Sequence, residues 1–275
     1  MAGAKSTDWQ AEAAVAQRTE AARRLFEEAQ ETGSVSLVVL SAMQRWVLGG
    51  AQQVLIEEAV AKSWNSLGRW NQRKIAEHNI SSLLKRGLLL EKPTGTEEPT
   101  TSSCSVAPEL GIVLAARCRP TFVLTHETVG RAVRSVRYFG LGDDQEPVRG
   151  IVEERPDYAA SKDTERKLGP LAWIYEYFLD APRQVASGLA ELALYRDAGV
   201  HGDQEPRVQV FSGFPHHTPE LAATGHPGIR LAVRGLGATG QIVQPDDRGG
   251  LTVVAEHDLE GMTAVMADLV ATLSG

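Results

Sequence analysis

The sequence predicts an α+β fold: an N-terminal helix and a winged-helix-like block, then two pseudo-repeated halves, each an antiparallel sheet with a helix. Three observations predict it. Up to about Cys118 the apolar residues recur at helical spacing between capping residues. From Pro120 the texture changes to short β-type runs divided by turn residues. Finally, the order strand, aspartate, helix occurs twice, at Asp180 and again at Asp258. The predicted boundaries are 1–32 for the first helix, 33–118 for the block, 119–200 for the first half and 201–275 for the second.

Residues 8–31 read as a helix, with Asp8 as the expected N-cap and Gly33 as the stop. Val15, Ala22 and Ala29 stand seven apart with Leu25 and Phe26 beside them, a stripe that would pack on the body or on a second chain. Val35 to Leu48 and Gln52 to Lys62 are aliphatic-rich segments divided by Gly49-Gly50, and Trp70 to Leu88 carries Ile75, Ile80, Leu83 and Leu84 along one side. Read as three helices, these precede a hairpin formed by Leu88-Leu89-Leu90 and Cys104-Ser105-Val106. That is the order of a winged helix-turn-helix module. Pro108 then opens a helix to about Cys118, proline being favoured in a first turn.

In the first half, Thr121–Thr125, Val136–Gly140, Val148–Glu153 and Ile174–Leu179 read as strands, with a polar loop over Asp157–Lys167. Asp180 is expected to cap a helix through Leu194, and Arg196–Glu205 reads as a linker. In the second half, Val208–Phe211, Ile229–Val233, Gln241–Val243 and Leu251–Ala255 read as strands, with Asp258 capping a helix to about Leu273. The repeat is one of element order, not of residue identity.

The chain has 275 residues, 43% hydrophobic and 23% charged, which is a globular composition. No run of eighteen apolar residues and no secretory leader pattern is visible, and Cys104 and Cys118 are too few for a disulfide framework. A cytoplasmic protein with reduced thiols is expected, without membrane contact. The net charge of −7 is uneven: residues 1–108 carry 12 Lys and Arg against 12 Asp and Glu, residues 109–275 carry 16 against 23. An acidic C-terminal part repels phosphates, so nucleic acid would have to meet the first part.

The motifs that carry catalysis elsewhere fail on context. Gly235-Leu236-Gly237-Ala238-Thr239-Gly240 matches a dinucleotide fingerprint, but a strand ending at Pro245 follows where a helix N-terminus is needed; a hairpin turn is expected. Tyr158 and Lys162 have short-chain dehydrogenase spacing without that family's earlier glycine fingerprint. His216, His217 and His226 lack the spacing of a tetrahedral metal site and read as a solvated loop. Asp143-Asp144 and Glu153-Glu154 are placed at strand ends as ordinary acidic turn residues. No nucleophile elbow and no P-loop occurs, so no enzyme, cofactor or metal is expected. The nucleic-acid candidates are Arg69, Arg73, Lys74, Lys85 and Arg86 on the expected recognition helix, opposed by Glu91, Glu97 and Glu98 around the hairpin tip.

Four stretches in this order resemble the EspG family, cytosolic chaperones of actinobacterial type VII secretion. They are Leu84-Lys85-Arg86-Gly87-Leu88-Leu89 with the helix opened by Val106-Ala107-Pro108-Glu109-Leu110; Phe122-Val123-Leu124 through Tyr138-Phe139-Gly140 to Gly150-Ile151-Val152; Tyr175-Glu176-Tyr177-Phe178 into the next helix; and Gly228 to Val233 with Leu251 to Ala255 and the terminal helix. The resemblance implies two related sheet-and-helix halves and a non-enzymatic chaperone or adaptor that binds a helical, PE–PPE-type secretion substrate. It assigns no contact residues. The chain departs from the family in its added helix at 8–31 and its shorter connection at Arg196–Glu205. The alternative is a winged-helix DNA-binding regulator whose C-terminal part senses a ligand or forms a homodimer. Most DNA-binding modules are distinctly basic, and the neutral first part favours the chaperone.

Overall fold

A computed structural model describes residues 6–55, 57–91, 104–129, 136–142, 148–157, 169–195, 207–215, 228–246 and 250–274. The elements in order are α1 (Ser6–Thr32), β1 (Ser34–Ser41), α2 (Ala42–Val47), α3 (Glu58–Asn65), α4 (Arg69–Lys85), β2 (Leu89–Glu91), β3 (Cys104–Val106) and α5 (Pro108–Cys118). The halves follow as β4 (Phe122–Thr128), β5 (Val136–Leu141), β6 (Gly150–Asp157), β7 (Ile174–Asp180) and α6 (Pro182–Leu194), then β8 (Val208–Pro215), β9 (Ile229–Gly235), β10 (Gly240–Pro245), β11 (Leu251–His257) and α7 (Leu259–Ser274). The α+β class is as the sequence predicts, and both strand–helix units are present, but they lie on one continuous sheet and not on a sheet each.

The halves share one antiparallel sheet of nine described strands, ordered β1-β7-β6-β5-β4-β8-β9-β10-β11. β4 and β8 pair at the centre, from Phe122 opposite Pro215 to Thr128 opposite Gln209. Each half is a four-strand meander running outward from that seam, and each returns with a helix to the same face, where α6 and α7 pack together. At the seam the His126 ring lies 5.0 Å from Phe211, and its Nε2 is 2.9 Å from the Gln209 amide oxygen.

Alternation through consecutive apolar residues builds two cores, one on each face. Phe122, Leu124, Ile151, Phe211 and Val233 face α6 and α7, meeting Leu189, Ala193, Met262, Met266 and Leu273. Val123, Phe139, Val152, Tyr177 and Leu179 face the other way, under the helical block, with Leu83, Leu110 and Val113.

The helical block departs from expectation at its start. Val35–Leu48 is not one helix: Ser34–Ser41 is an edge strand of the large sheet, pairing Ser34 with Asp180 and Ser41 with Ile174. The run Ser-Val-Ser-Leu-Val-Val-Leu-Ser is β-branched, and Ser41 ends it by forming a capping box with Gln44 that starts α2. The Gln52–Lys62 segment becomes a 3-10 turn at Gly50–Gln52 and then α3. The hairpin is present as Leu89 opposite Val106 and Glu91 opposite Cys104, and Cys118 is a free thiol.

Three smaller expectations also change. α1 already runs at Ser6, so Asp8 is not its N-cap, while Gly33 does stop it at φ +94°. Within its stripe Ala22, Leu25, Phe26 and Ala29 pack on the body, but Val15 is exposed. Asp258 caps α7, accepting from the Gly261 N–H at 2.9 Å, whereas Asp180 does not cap α6: Ala181 is the N-cap, with no side-chain bond, and Pro182 opens the helix. Asp180 is instead buried.

Candidate partner surface and buried polar centres

The two halves differ in what covers them. The first is covered on both faces, by α6 on one side and by α1 and α5 on the other. Its outer strand β7 is shielded by β1, and Arg86 Nη2 in turn donates to the Val39 carbonyl of β1 at 2.8 Å. The second half has α6 and α7 on one face, and no described helix is seated on the other.

Among the described strands, β11 has a partner on one side only. A bulge at Val254 shifts its register against β10. Leu251, Val253 and Val254 are exposed along this edge, Val254 at 58%, and Leu259 at the start of α7 is exposed beside them. Soluble proteins usually blunt an edge strand with charge, proline or cover, so an apolar edge strip is a candidate contact surface.

The helical block shows where the basic set stands. α3, a turn at Ser66-Leu67-Gly68 and α4 follow one another in the order of a helix-turn-helix, but α4 packs chiefly on α2 and not on α3. Arg69, Arg73 and Lys74 are exposed on the N-terminal half of α4, and Trp70 is 66% exposed with the Lys74 ammonium 3.7 Å from its ring centre. Arg73 is paired with Glu77 at 2.8 Å. Lys85 is exposed at the far end of α4, while Arg86 is spent on the β1 carbonyl and lies near Gln44. The set therefore divides: three cations and a tryptophan share one surface, and Arg86 is structural.

The largest departure from the sequence reading is at Glu153-Glu154, which lie inside β6 and not at its end. The pleat sends them to opposite faces. Glu154 is fully buried beneath the helical block, where Arg117 Nη1 donates to both its oxygens at 2.9 and 3.1 Å, Arg137 at 2.8 Å and the Tyr177 hydroxyl at 2.7 Å. Arg45 lies 3.8 Å from Glu154 and 3.6 Å from Glu57, and Glu57 pairs with Arg137 at 2.7 Å. Burial alone would raise the Glu154 carboxyl. The guanidiniums of Arg117, Arg45 and Arg137 overcome burial and hold it at about 2. Arg45 also stacks on Tyr175 at 3.8 Å. The residues of this centre come from α2, α5, β5, β6, β7 and the segment before α3, so it joins the block to the sheet.

The other motifs resolve simply. Gly235–Gly240 is the β9–β10 hairpin turn, with Gly237 at φ +91° and the Leu236 N–H donating to Thr239. No helix follows it. Tyr158 and Lys162, Asp143-Asp144, Glu97 and Glu98, and His216, His217 and His226 lie outside the described residues. Among the described residues no group of His, Cys, Asp and Glu is arranged for a metal, and no helix is long and apolar enough to cross a membrane. In sequence comparison, no protein-family model and no curated protein matches the chain.

Proposed function

We propose that this protein is a non-enzymatic chaperone or adaptor of the EspG kind, binding a helical PE–PPE-type secretion substrate along the free edge of its second half. The observation that supports this is the apolar strip Leu251, Val253, Val254 and Leu259 on an edge that the first half shields in its own copy. β11 is seven residues long, roughly 23 Å, which spans about four turns of a partner helix. An amphipathic helix would lay its apolar stripe there, by the groove mode of recognition. Co-expression with a PE–PPE pair should give a soluble 1:1 complex. Val253→Asp with Val254→Lys should abolish that complex while leaving thermal unfolding unchanged. A complex indifferent to both substitutions would place the partner elsewhere.

The α3–turn–α4 arrangement, with Arg69, Arg73 and Lys74 around the exposed Trp70, favours a second reading as a DNA-binding regulator. The N-terminal half of a recognition helix is the part that meets base edges. Under that reading, promoter fragments bind at about 50 mM salt, and Lys74→Ala lowers the salt slope by about one unit. Absence of binding at low salt would end this reading and leave the first untouched.

A further inference from the structure

A cleft of about 310 Å³ opens between α6 and strands β5 to β7, on the face opposite the Glu154 centre. Its size is at the lower end of roughly 300–1,000 Å³ for small-ligand sites. Val136, Val185 and Leu192 supply apolar walls, Tyr138 and Glu153 lie on the strand side, and Gln184 and Glu191 come from α6.

Asp180 also lines it, at the end of β7. It is 3% exposed, and its Oδ2 accepts no hydrogen bond from any described residue. Buried carboxylate oxygens without a donor are rare and need a reason. The neighbouring charges indicate one. Arg155 clamps Glu153 through both guanidinium arms at 2.6 and 2.9 Å, so the cation in the cleft already has its carboxylate. Asp180 shares side-chain hydrogen bonds with Ser34 and Glu153 and lies in the field of that same Arg155, while Glu191 adds a third carboxylate to the lining. The site thus joins an apolar passage to three carboxylates that share one guanidinium, with the Asp180 Oδ2 still lacking a donor.

We propose that this cleft binds an alkylammonium group, its nitrogen donating to Asp180 and its methylene stem lying between Val136, Val185 and Leu192. A long apolar stem ending in an ammonium is the shape of a lysine side chain and of free aliphatic amines alike. The apolar walls cover the stem, and the buried oxygen gains its missing donor. The inference does not depend on the partner proposed for β11.

Proton linkage supports the assignment. Burial raises the Asp180 carboxyl to about 7, and Glu153 adds to the shift, while Ser34 and Arg155 oppose it. The titratable groups facing it are Glu153 and Arg155 on β6, Tyr138 on β5 and Glu191 on α6; burial pushes the Tyr138 hydroxyl well up. Alkylammonium ions stay charged to about pH 10.4, so binding near neutrality follows the ionisation of Asp180.

The test is an amide NMR titration of the full chain with n-butylammonium, against n-butyrate and n-butanol as controls. Saturable shifts at Ser34, Asp180 and Gly188 are expected with the amine alone. Affinity should rise roughly tenfold from about pH 6 to about pH 8. Asp180→Asn should weaken binding by at least about tenfold, the loss of one charge-assisted hydrogen bond. No shift with the amine, an equal response to butyrate, an affinity indifferent to pH, or undiminished binding by a folded Asp180→Asn chain overturns the proposal. The pH series on the unaltered chain decides the matter even if the variant does not fold. Nα-acetyl-lysine-N-methylamide separates the sources: if it binds as well as the amine, the ligand is a lysine of another protein. If only the bare amine binds, it is a free amine.

Discussion

The first half and the second half are the same meander followed by the same helix, yet one is enclosed and the other is left open. β7 is flanked by β1 and roofed by α1, whereas the equivalent strand β11 ends the described sheet with Leu251, Val253 and Val254 showing. The first half carries buried charge on both faces, at Glu154 and at Asp180; among the described residues, the second carries acids only where water reaches them, as at Glu256. The enclosure explains the difference. A buried carboxylate stays ionised only with cationic partners, and the helical block supplies Arg45 and Arg117 to the Glu154 face alone, leaving Asp180 on the other face with a raised carboxyl. One unit used twice can thus give an enclosed half and an open half.

The sharpest way to break this comparison is Glu154→Gln. It leaves three buried guanidiniums clustered around Glu57 without their central carboxylate and should cost about 3–5 kcal/mol in urea unfolding at neutral pH. A loss under about 1 kcal/mol would mean that the centre does not hold the block to the sheet. Because the folded Glu154 value lies below the unfolded one, its contribution is full above about pH 4.5 and fades as pH falls towards about 2.

Asp180 works in the opposite sense. Its folded value, about 7, stands above the ordinary 3.8, so the folded state holds the proton more tightly. Stability therefore declines as pH rises from about 4 through about 7, by at most about 4 kcal/mol, and the cost is complete above that window. Asp180→Asn should be the more stable protein at about pH 8 and nearly equal at about pH 4. Urea midpoints that fail to diverge with pH would show that Asp180 carries no such burden.

A smaller effect separates the two helix starts. Asp258→Ala should destabilise by about 1 kcal/mol through loss of the Gly261 bond, while α6 has no side-chain cap to lose. The smallest is Val254→Lys on the open edge, expected within about 0.5 kcal/mol of the parent in thermal unfolding. A large loss there would mean that the edge is part of the core and not a surface for a partner.

Much of the architecture was legible. β-branched runs between turn residues placed the eight strands of the two halves, and the recurrence at Asp180 and Asp258 marked the repeat. What the sequence does not display is pairing at a distance. Nothing local says that Ser34–Ser41 will lie beside Ile174–Asp180, and an aliphatic run before a helix reads equally well as helix. The polar centres were hidden for the same reason, since Arg45, Glu57, Arg117, Arg137 and Glu154 are scattered along the chain. A signal did exist at Glu153-Glu154: two carboxylates directly after Gly150-Ile151-Val152, within a run of strand length, ask for buried partners. Asp180 misled because an aspartate before a helix normally caps it, and Pro182 made that cap unnecessary.

The pairing of β1 with β7 also sets a schedule. Ser34 meets Asp180, so during synthesis the early strand waits for the chain between them, on the order of ten seconds at ribosomal speed. Until then Val35, Leu37, Val38 and Leu40 have no sheet to join, and the long loop must close before any reward is gained. Until Ile174–Asp180 emerges, that apolar strand stays uncovered, and this is the stage at which the nascent chain is most open to aggregation.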